Sequence, residues 1–324
     1  MQYRTLGTTG LEVSELGFGA WGISGAAWIG ADDDESVRAL RVAIDRGVNF
    51  LDTAFVYGDG HSEELVGAAV RDSAETVYVA SKIPPKNMEW PAPSGLRAEE
   101  VFPADWIVAC TERSLEKLRL ETIDVHQLHV WSAEWFGQGD WLDAVDELKR
   151  DGKIRFFGVS INDHQPDSAI RLVESGLVDT VQVIYNIFDQ SPEDALFPAV
   201  EASRVGVIVR VPFDEGALTG SVRPETTFPE GDFRNEYFAG ERKREAWERV
   251  QAITRDLDVE VDSLAEIALR FCLSHAATSV VIPGMRSTRN VERNVHAASA
   301  GPLEEGQLTT LRRHRWVPDS HRES

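Results

Sequence analysis

Cysteine and lysine are scarce in this sequence. Its 324 residues include two cysteines, Cys110 and Cys272, far apart and each in a segment with helical spacing. A disulfide framework is therefore excluded, and a reducing, cytoplasmic location is expected. The two thiols read as small buried apolar groups. Six of the 33 basic residues are lysine, and 54 Asp and Glu outweigh them, for a formal net charge of −21. With that balance and no basic cluster, neither nucleic acid nor an anionic membrane is an expected partner. No apolar run approaches the ~20 residues of a membrane helix. The opening Met1-Gln2-Tyr3-Arg4 does not read as a signal peptide. Acidic runs such as Asp32-Asp33-Asp34-Glu35 read as solvated faces. The acidity has two readings: adaptation to high salt, or an ordinary low pI from a GC-rich genome.

Two chemical signatures are missing as well. No G-x-G-x-x-G joins a strand to a helix; Gly17-Phe18-Gly19-Ala20-Trp21-Gly22 has the spacing, but no helix start follows it. No H-x-H or H-E-x-x-H occurs, and His126 and His129, three apart on one strand, face opposite sides. No metal site is expected.

What the sequence does have is 42% hydrophobic residues in an alternating arrangement. Short β-branched and aromatic runs end at Asp52, Lys82, His129, Ser160, Gln182 and Arg210, and a further run spans Thr278 to Ile282. Leu11 to Gly19 is a candidate first strand, and Met1 to Val13 a hairpin. Helical spacing lies between the strands, at Ser36–Asp45, Asp105–Leu118, Trp141–Lys149, Ser168–Val173, Pro192–Ser203, Glu245–Leu257, Leu264–Ser274 and Val291–Ala298. Alternating strands and helices imply a parallel sheet with right-handed crossovers. About eight such units use the whole chain, so the expected fold is α/β: a single (β/α)8 TIM barrel over residues 1–324, with an N-terminal β-hairpin. Long loops, Pro84 to Pro103 and Phe213 to Gly240, fall at its C-terminal face.

The polar residues that close these strands converge on that face. A lysine at the end of a buried strand needs a partner, and Asp52 on the neighbouring strand is the natural one for Lys82. Tyr57 lies five residues past Asp52. A lysine cation beside a tyrosine favours phenolate and so lowers its pKa. On this reading Tyr57 gives a proton to a carbonyl oxygen as hydride arrives at carbon, Asp52 holds Lys82, and His129 orients the carbonyl.

These segments resemble the aldo-keto reductase family. Leu51-Asp52-Thr53-Ala54-Phe55-Val56-Tyr57-Gly58 is similar to its Asp–Tyr motif. Ser81-Lys82 and Gln127-Leu128-His129 are similar to its lysine and histidine motifs, and Gly152-Lys153-Ile154-Arg155 through Gly158-Val159-Ser160 to its fifth-strand motif. The resemblance implies a barrel that reduces aldehydes and ketones with NADPH, without metal, and a tetrad of Asp52, Tyr57, Lys82 and His129.

By the same resemblance, Ser160, Asn162 and Gln182 hold the nicotinamide carboxamide, although Ile161 separates Ser160 from Asn162 where the family often has Ser-Asn. Arg210 replaces a tyrosine that many members stack on nicotinamide. Gly216, Leu218 and Gly220 match the pyrophosphate loop, and Gly284, Met285, Arg286, Arg289 and Asn294 the adenosine-phosphate region. Asn290 stands where NADP-preferring members often have arginine. NADP(H) is favoured over NAD(H), with Arg286 or Arg289 supplying charge for a 2′-phosphate. Trp21, Trp90 and Trp131 are expected to line the pocket for a small carbonyl or sugar substrate. Two alternatives remain beside the carbonyl reductase: an NAD(P)-dependent aldose dehydrogenase running the oxidation, and a cofactor-sensing binding subunit resembling potassium-channel β-subunits. Whether the chain is a monomer or a homo-oligomer is left open.

Overall fold

The computed structural model describes residues 1–316; the rest of the expected 1–324 domain lies outside the described residues. A hairpin of β1 (Tyr3–Thr5) and β2 (Glu12–Ser14) opens the chain. Eight parallel strands follow: β3 (Phe18–Gly19), β4 (Phe50–Asp52), β5 (Tyr78–Ile83), β6 (Ile123–Leu128), β7 (Ile154–Ser160), β8 (Thr180–Ile184), β9 (Gly206–Arg210) and β10 (Val280–Val281). They pair in sequence order. Bridges from Leu16 to Val281 and from Gly19 to Gly284 join the two edges, so the sheet closes into a (β/α)8 barrel.

The helices are α1 (Asp33–Asp45), α2 (His61–Arg71), α3 (Ala98–Val101), α4 (Ala104–Leu118), α5 (Trp141–Arg150), α6 (Ile170–Ser175), α7 (Leu196–Ser203), α8 (Arg234–Tyr237), α9 (Arg242–Leu257), α10 (Leu264–Ser274), α11 (Thr288–Ser299) and α12 (Glu305–Arg312). The expected first strand divides: Glu12–Ser14 belongs to the hairpin, and only Phe18–Gly19 enters the barrel. The helix α2 has no counterpart among the expected elements. Glycines at its N-cap, Gly60, and in its interior, Gly67, weaken the helical signal. Packing explains Gly67: a Cβ there would lie 2.0 Å from the Leu118 carbonyl oxygen of α4.

The two-residue period of the strands sorts the barrel interior into layers. Phe50, Ala80, Val125, Ile208 and Val280 form an apolar lower layer, sealed from below by Leu6, Leu11 and Val13 of the hairpin region. Two residues further along the same strands, the inward positions become Asp52, Lys82, Gln127 and Arg210. Register aligns them: Asp52 lies opposite Ala80, Lys82 opposite Gln127, and Ser160 opposite Gln182. The alternate positions face the helices and build the larger core, which includes Cys110 and Cys272. An apolar plug therefore supports a polar floor at one end of the barrel.

Candidate active site

The floor is a hydrogen-bonded network. Lys82 is fully buried; its Nζ donates to Asp52 Oδ1 at 2.5 Å and to the Thr53 carbonyl at 2.8 Å. The second Asp52 oxygen accepts from Gln182 Nε2 at 2.8 Å. Burial opposes the Lys82 cation, but the charge of Asp52 and the neighbouring Tyr57 outweigh it and raise the pKa. Lys82 is therefore a permanent cation at neutral pH.

Tyr57 sits in the turn after β4, its N–H donating to the Ala54 carbonyl at 3.0 Å. Lys82 Nζ lies 5.1 Å from its ring centroid. The Tyr57 hydroxyl departs from the expectation of a lowered pKa. Burial raises it, Lys82 and Arg210 pull it down, Asp52 pushes it up, and burial wins. Tyr57 thus keeps its proton at neutral pH. His129, one residue past β6, is anchored by its N–H to the Ile83 carbonyl at 2.9 Å, and its ring meets that of Tyr57 edge-on at 5.8 Å. Burial, reinforced by the cations of Lys82 and Arg210, holds His129 well below its ordinary pKa of 6.5, so it is a neutral imidazole. His126 points into the helix layer, buried and neutral, with burial lowering its pKa to about 4. Among the described residues, no group of three or more His, Cys, Asp or Glu could hold a metal ion.

A cleft of about 1710 Å³ opens above this floor. Asp52, Tyr57 and His129 line it, as do Ser160, Asn162, Gln182 and Arg210, and farther out Gly216, Gly284, Arg286 and Asn294. Arg210 donates to the Ile161 carbonyl and to Asp163 Oδ1 at 2.9 and 2.6 Å. Its Nε is buried without a partner. Asn162 is tied to Gln165 and to the Ala92 N–H.

Several expected contacts are not in the cleft. Trp131 is fully buried beneath it, edge-on to Trp135 and Trp141, with its indole N–H on the Ser168 carbonyl. It is a core residue, packed in the buried cluster that includes Trp135 and Trp141. Leu218 and Met285 are also fully buried and present no surface to a ligand. Gly220 packs against Val261, and Arg289 is exposed outside the cleft. Trp21 and Trp90 do line it.

The aromatic wall is larger than the sequence indicated. Trp21 packs against Trp28 and Phe233, and Trp90 stands edge-on to His129 at 5.6 Å. Trp28 and Phe233 come from loops distant in sequence that meet across the cleft: Phe233 N–H donates to the Ala27 carbonyl at 2.9 Å. Asp232 accepts from Ile29 N–H and grips Arg234, whose guanidinium lies 4.2 Å from the Trp28 ring. A second tryptophan near Trp21 and the length of the loop after β9 were the available signals; their meeting is a tertiary fact.

Comparison with known proteins agrees with this geometry. The family model "Aldo/keto reductase family" matches residues 15–315. Aldo-keto reductase YhdN of Bacillus subtilis is 29% identical over 297 residues, covering 90% of this chain and 87% of that protein. The NADH-specific methylglyoxal reductase of Escherichia coli is 26% identical over 329 residues, covering 95% and 96%. Among solved structures, the holo form of aldo-keto reductase AKR11C1 from Bacillus halodurans superposes with a TM-score of 0.77 at 27% identity, covering all of both chains. The chain belongs to the aldo/keto reductase family.

Proposed function

We propose that this chain reduces aldehydes or ketones to alcohols, with a nicotinamide dinucleotide in the cleft and Tyr57 as the proton donor. One observation carries the reading. A protonated Tyr57 and a neutral His129 face each other at the cleft floor, and a buried Lys82–Asp52 pair stands behind them. The cleft suits a dinucleotide. It exceeds the ~300–1,000 Å³ of ordinary small-ligand sites, and amide and hydroxyl groups line its inner end. The unpartnered Nε of Arg210 is a buried donor that a ligand could satisfy. Ser160, Asn162, Gln182 and Arg210 would hold the nicotinamide end, and Arg286 and Asn294 the far end.

When bound, the reduced nucleotide supplies hydride to the carbonyl carbon. The chain's residues do the rest. Neutral His129 keeps one N–H to donate to the carbonyl oxygen and fix its position. Tyr57 passes its hydroxyl proton to that oxygen as negative charge develops there. The resulting phenolate is stabilised by the Lys82 cation, which Asp52 holds in place. The raised pKa of Tyr57 favours reduction at neutral pH, since oxidation needs the phenolate as base. Trp21, Trp28, Trp90 and Phe233 suit an aromatic or otherwise apolar carbonyl compound.

Titration with NADH and NADPH, followed by quenching of tryptophan fluorescence, tests the reading. Trp21 and Trp28 line the cleft, so saturable quenching with a dissociation constant in the micromolar range is expected. Absence of quenching by either nucleotide would remove the redox function.

A further inference from the structure

We propose that Gln182 is a positioning residue of the proton donor: its side-chain amide spans the barrel mouth and fixes the Asp52 carboxylate that holds Lys82 behind Tyr57. The inference rests on the reduction reading above and adds to the nicotinamide contact proposed there for Gln182.

Strand order places the two residues. Asp52 ends β4, and Gln182 lies in β8, four strands along in the eight-stranded sheet, so in the closed barrel they stand on opposite walls. Neighbouring strands fix the Gln182 backbone, which pairs with Ser160 on one side and Ile208 on the other. Val181 and Val183 belong to the helix-side core, so the two-residue period turns Gln182 inward. The residue is 1% exposed, and its Nε2 reaches across the floor to donate to Asp52 Oδ2 at 2.8 Å. That bond joins residues 130 positions apart.

Chemistry fixes the orientation of the amide. A carboxylate only accepts, so Gln182 turns its N–H group to Asp52 and its Oε1 away. Lys82 Nζ engages the other Asp52 oxygen at 2.5 Å. Each buried oxygen thus has its own donor, one charged and one neutral. Held by Lys82 alone, the carboxylate would keep one buried oxygen without a donor and could turn about its Cβ–Cγ bond, carrying Nζ with it. With Gln182 in place the carboxylate plane is fixed, and so is Nζ, 5.1 Å from the Tyr57 ring centroid.

Charge follows the same route. Burial raises the Tyr57 pKa first; Lys82 then lowers it and Asp52 raises it. An N–H dipole on Asp52 offsets part of that carboxylate's upward push. Gln182 also lines the cleft. With Nε2 on Asp52, Oε1 is the atom it offers a ligand, and it suits an N–H donor such as a carboxamide. A ligand N–H on Oε1 strengthens the bond from Nε2 to Asp52, because hydrogen bonds in a chain polarise one another. One amide then links nucleotide loading to proton donation.

The test uses Gln182→Met, which keeps the length of the side chain and removes the donor. At saturating NADH, kcat for aldehyde reduction is expected to fall about tenfold, the effect of about one hydrogen bond to a charged group. The aldehyde KM should stay within about twofold. The alcohol-oxidation profile should move up by about half a pH unit, since Asp52 then acts on Tyr57 without the amide dipole. A second readout needs neither nucleotide nor turnover. Urea unfolding of the nucleotide-free chain is compared for wild type, Gln182→Met, Asp52→Ala and the double variant. The fall in midpoint caused by Gln182→Met should shrink by about half or more on the Asp52→Ala background, where its partner is already gone. An unchanged kcat and pH profile at saturating nucleotide, with only a weaker dissociation constant, overturns the proposal and leaves Gln182 a nicotinamide contact. Additive midpoint shifts overturn it as well. A wild type that turns over no carbonyl compound removes the reduction reading, and this proposal with it.

Discussion

Tyr57→Phe is expected to lower kcat for carbonyl reduction by about 10²- to 10⁴-fold, the usual contribution of a positioned general acid. Nucleotide affinity should change by no more than about twofold, because the hydroxyl acts on the substrate oxygen. The phenyl ring preserves the edge-on contact with His129 and the packing against Trp21, so the cleft keeps its shape. The loss should therefore appear in kcat, with an unaltered fluorescence titration. Turnover within about threefold of wild type would mean that another group supplies the proton.

Lys82→Met should reduce both stability and activity. The substitution leaves the Asp52 carboxylate 3% exposed, with its Gln182 bond but without its cation. Removing one partner of a buried pair costs about 3–5 kcal/mol, readable by urea unfolding. The pH dependence has a definite sign. Lys82 has a folded pKa above its ordinary 10.5. Its ionisation therefore adds stability that is fully present below that value and lost only as pH rises through the folded pKa. Neutral and mildly alkaline pH should not weaken the wild type through this group. Activity should respond differently: Lys82 lowers the Tyr57 pKa against burial, so its loss raises that pKa further. The alcohol-oxidation profile of Lys82→Met should move to higher pH. An unmoved profile would show that Lys82 does not tune Tyr57, and an unfolding change below about 1 kcal/mol would show that Asp52 needs no cation.

The floor of the site was legible in the sequence because strand periodicity made it so. Asp52, Lys82, His129, Ser160, Gln182 and Arg210 each close a short apolar run, where a polar side chain is costly unless something pairs with it. Parallel pairing in sequence order then brings the six together. Other features have no local signal. Trp131 is buried among Trp135 and Trp141, whereas Trp90, farther from its strand, reaches the cleft. Gly60 and Gly67 obscured α2, because close packing against α4 requires a residue that helix propensity disfavours. The sign of the Tyr57 pKa shift was not legible, because a sequence shows a neighbouring lysine but not the burial that outweighs it. Glu35 reads as part of a solvated acidic face; its bond to Thr288 spans 253 positions and exists only once the barrel has closed.

Carbonyl reduction at the cleft floor is tested most directly by turnover. The purified chain is mixed with a reduced nicotinamide nucleotide and an aromatic aldehyde, and nucleotide oxidation and alcohol formation are followed together. The expected result is saturable turnover with one alcohol formed per nucleotide oxidised. Tight nucleotide binding with no alcohol formed from any aldehyde or ketone in a broad panel would contradict it.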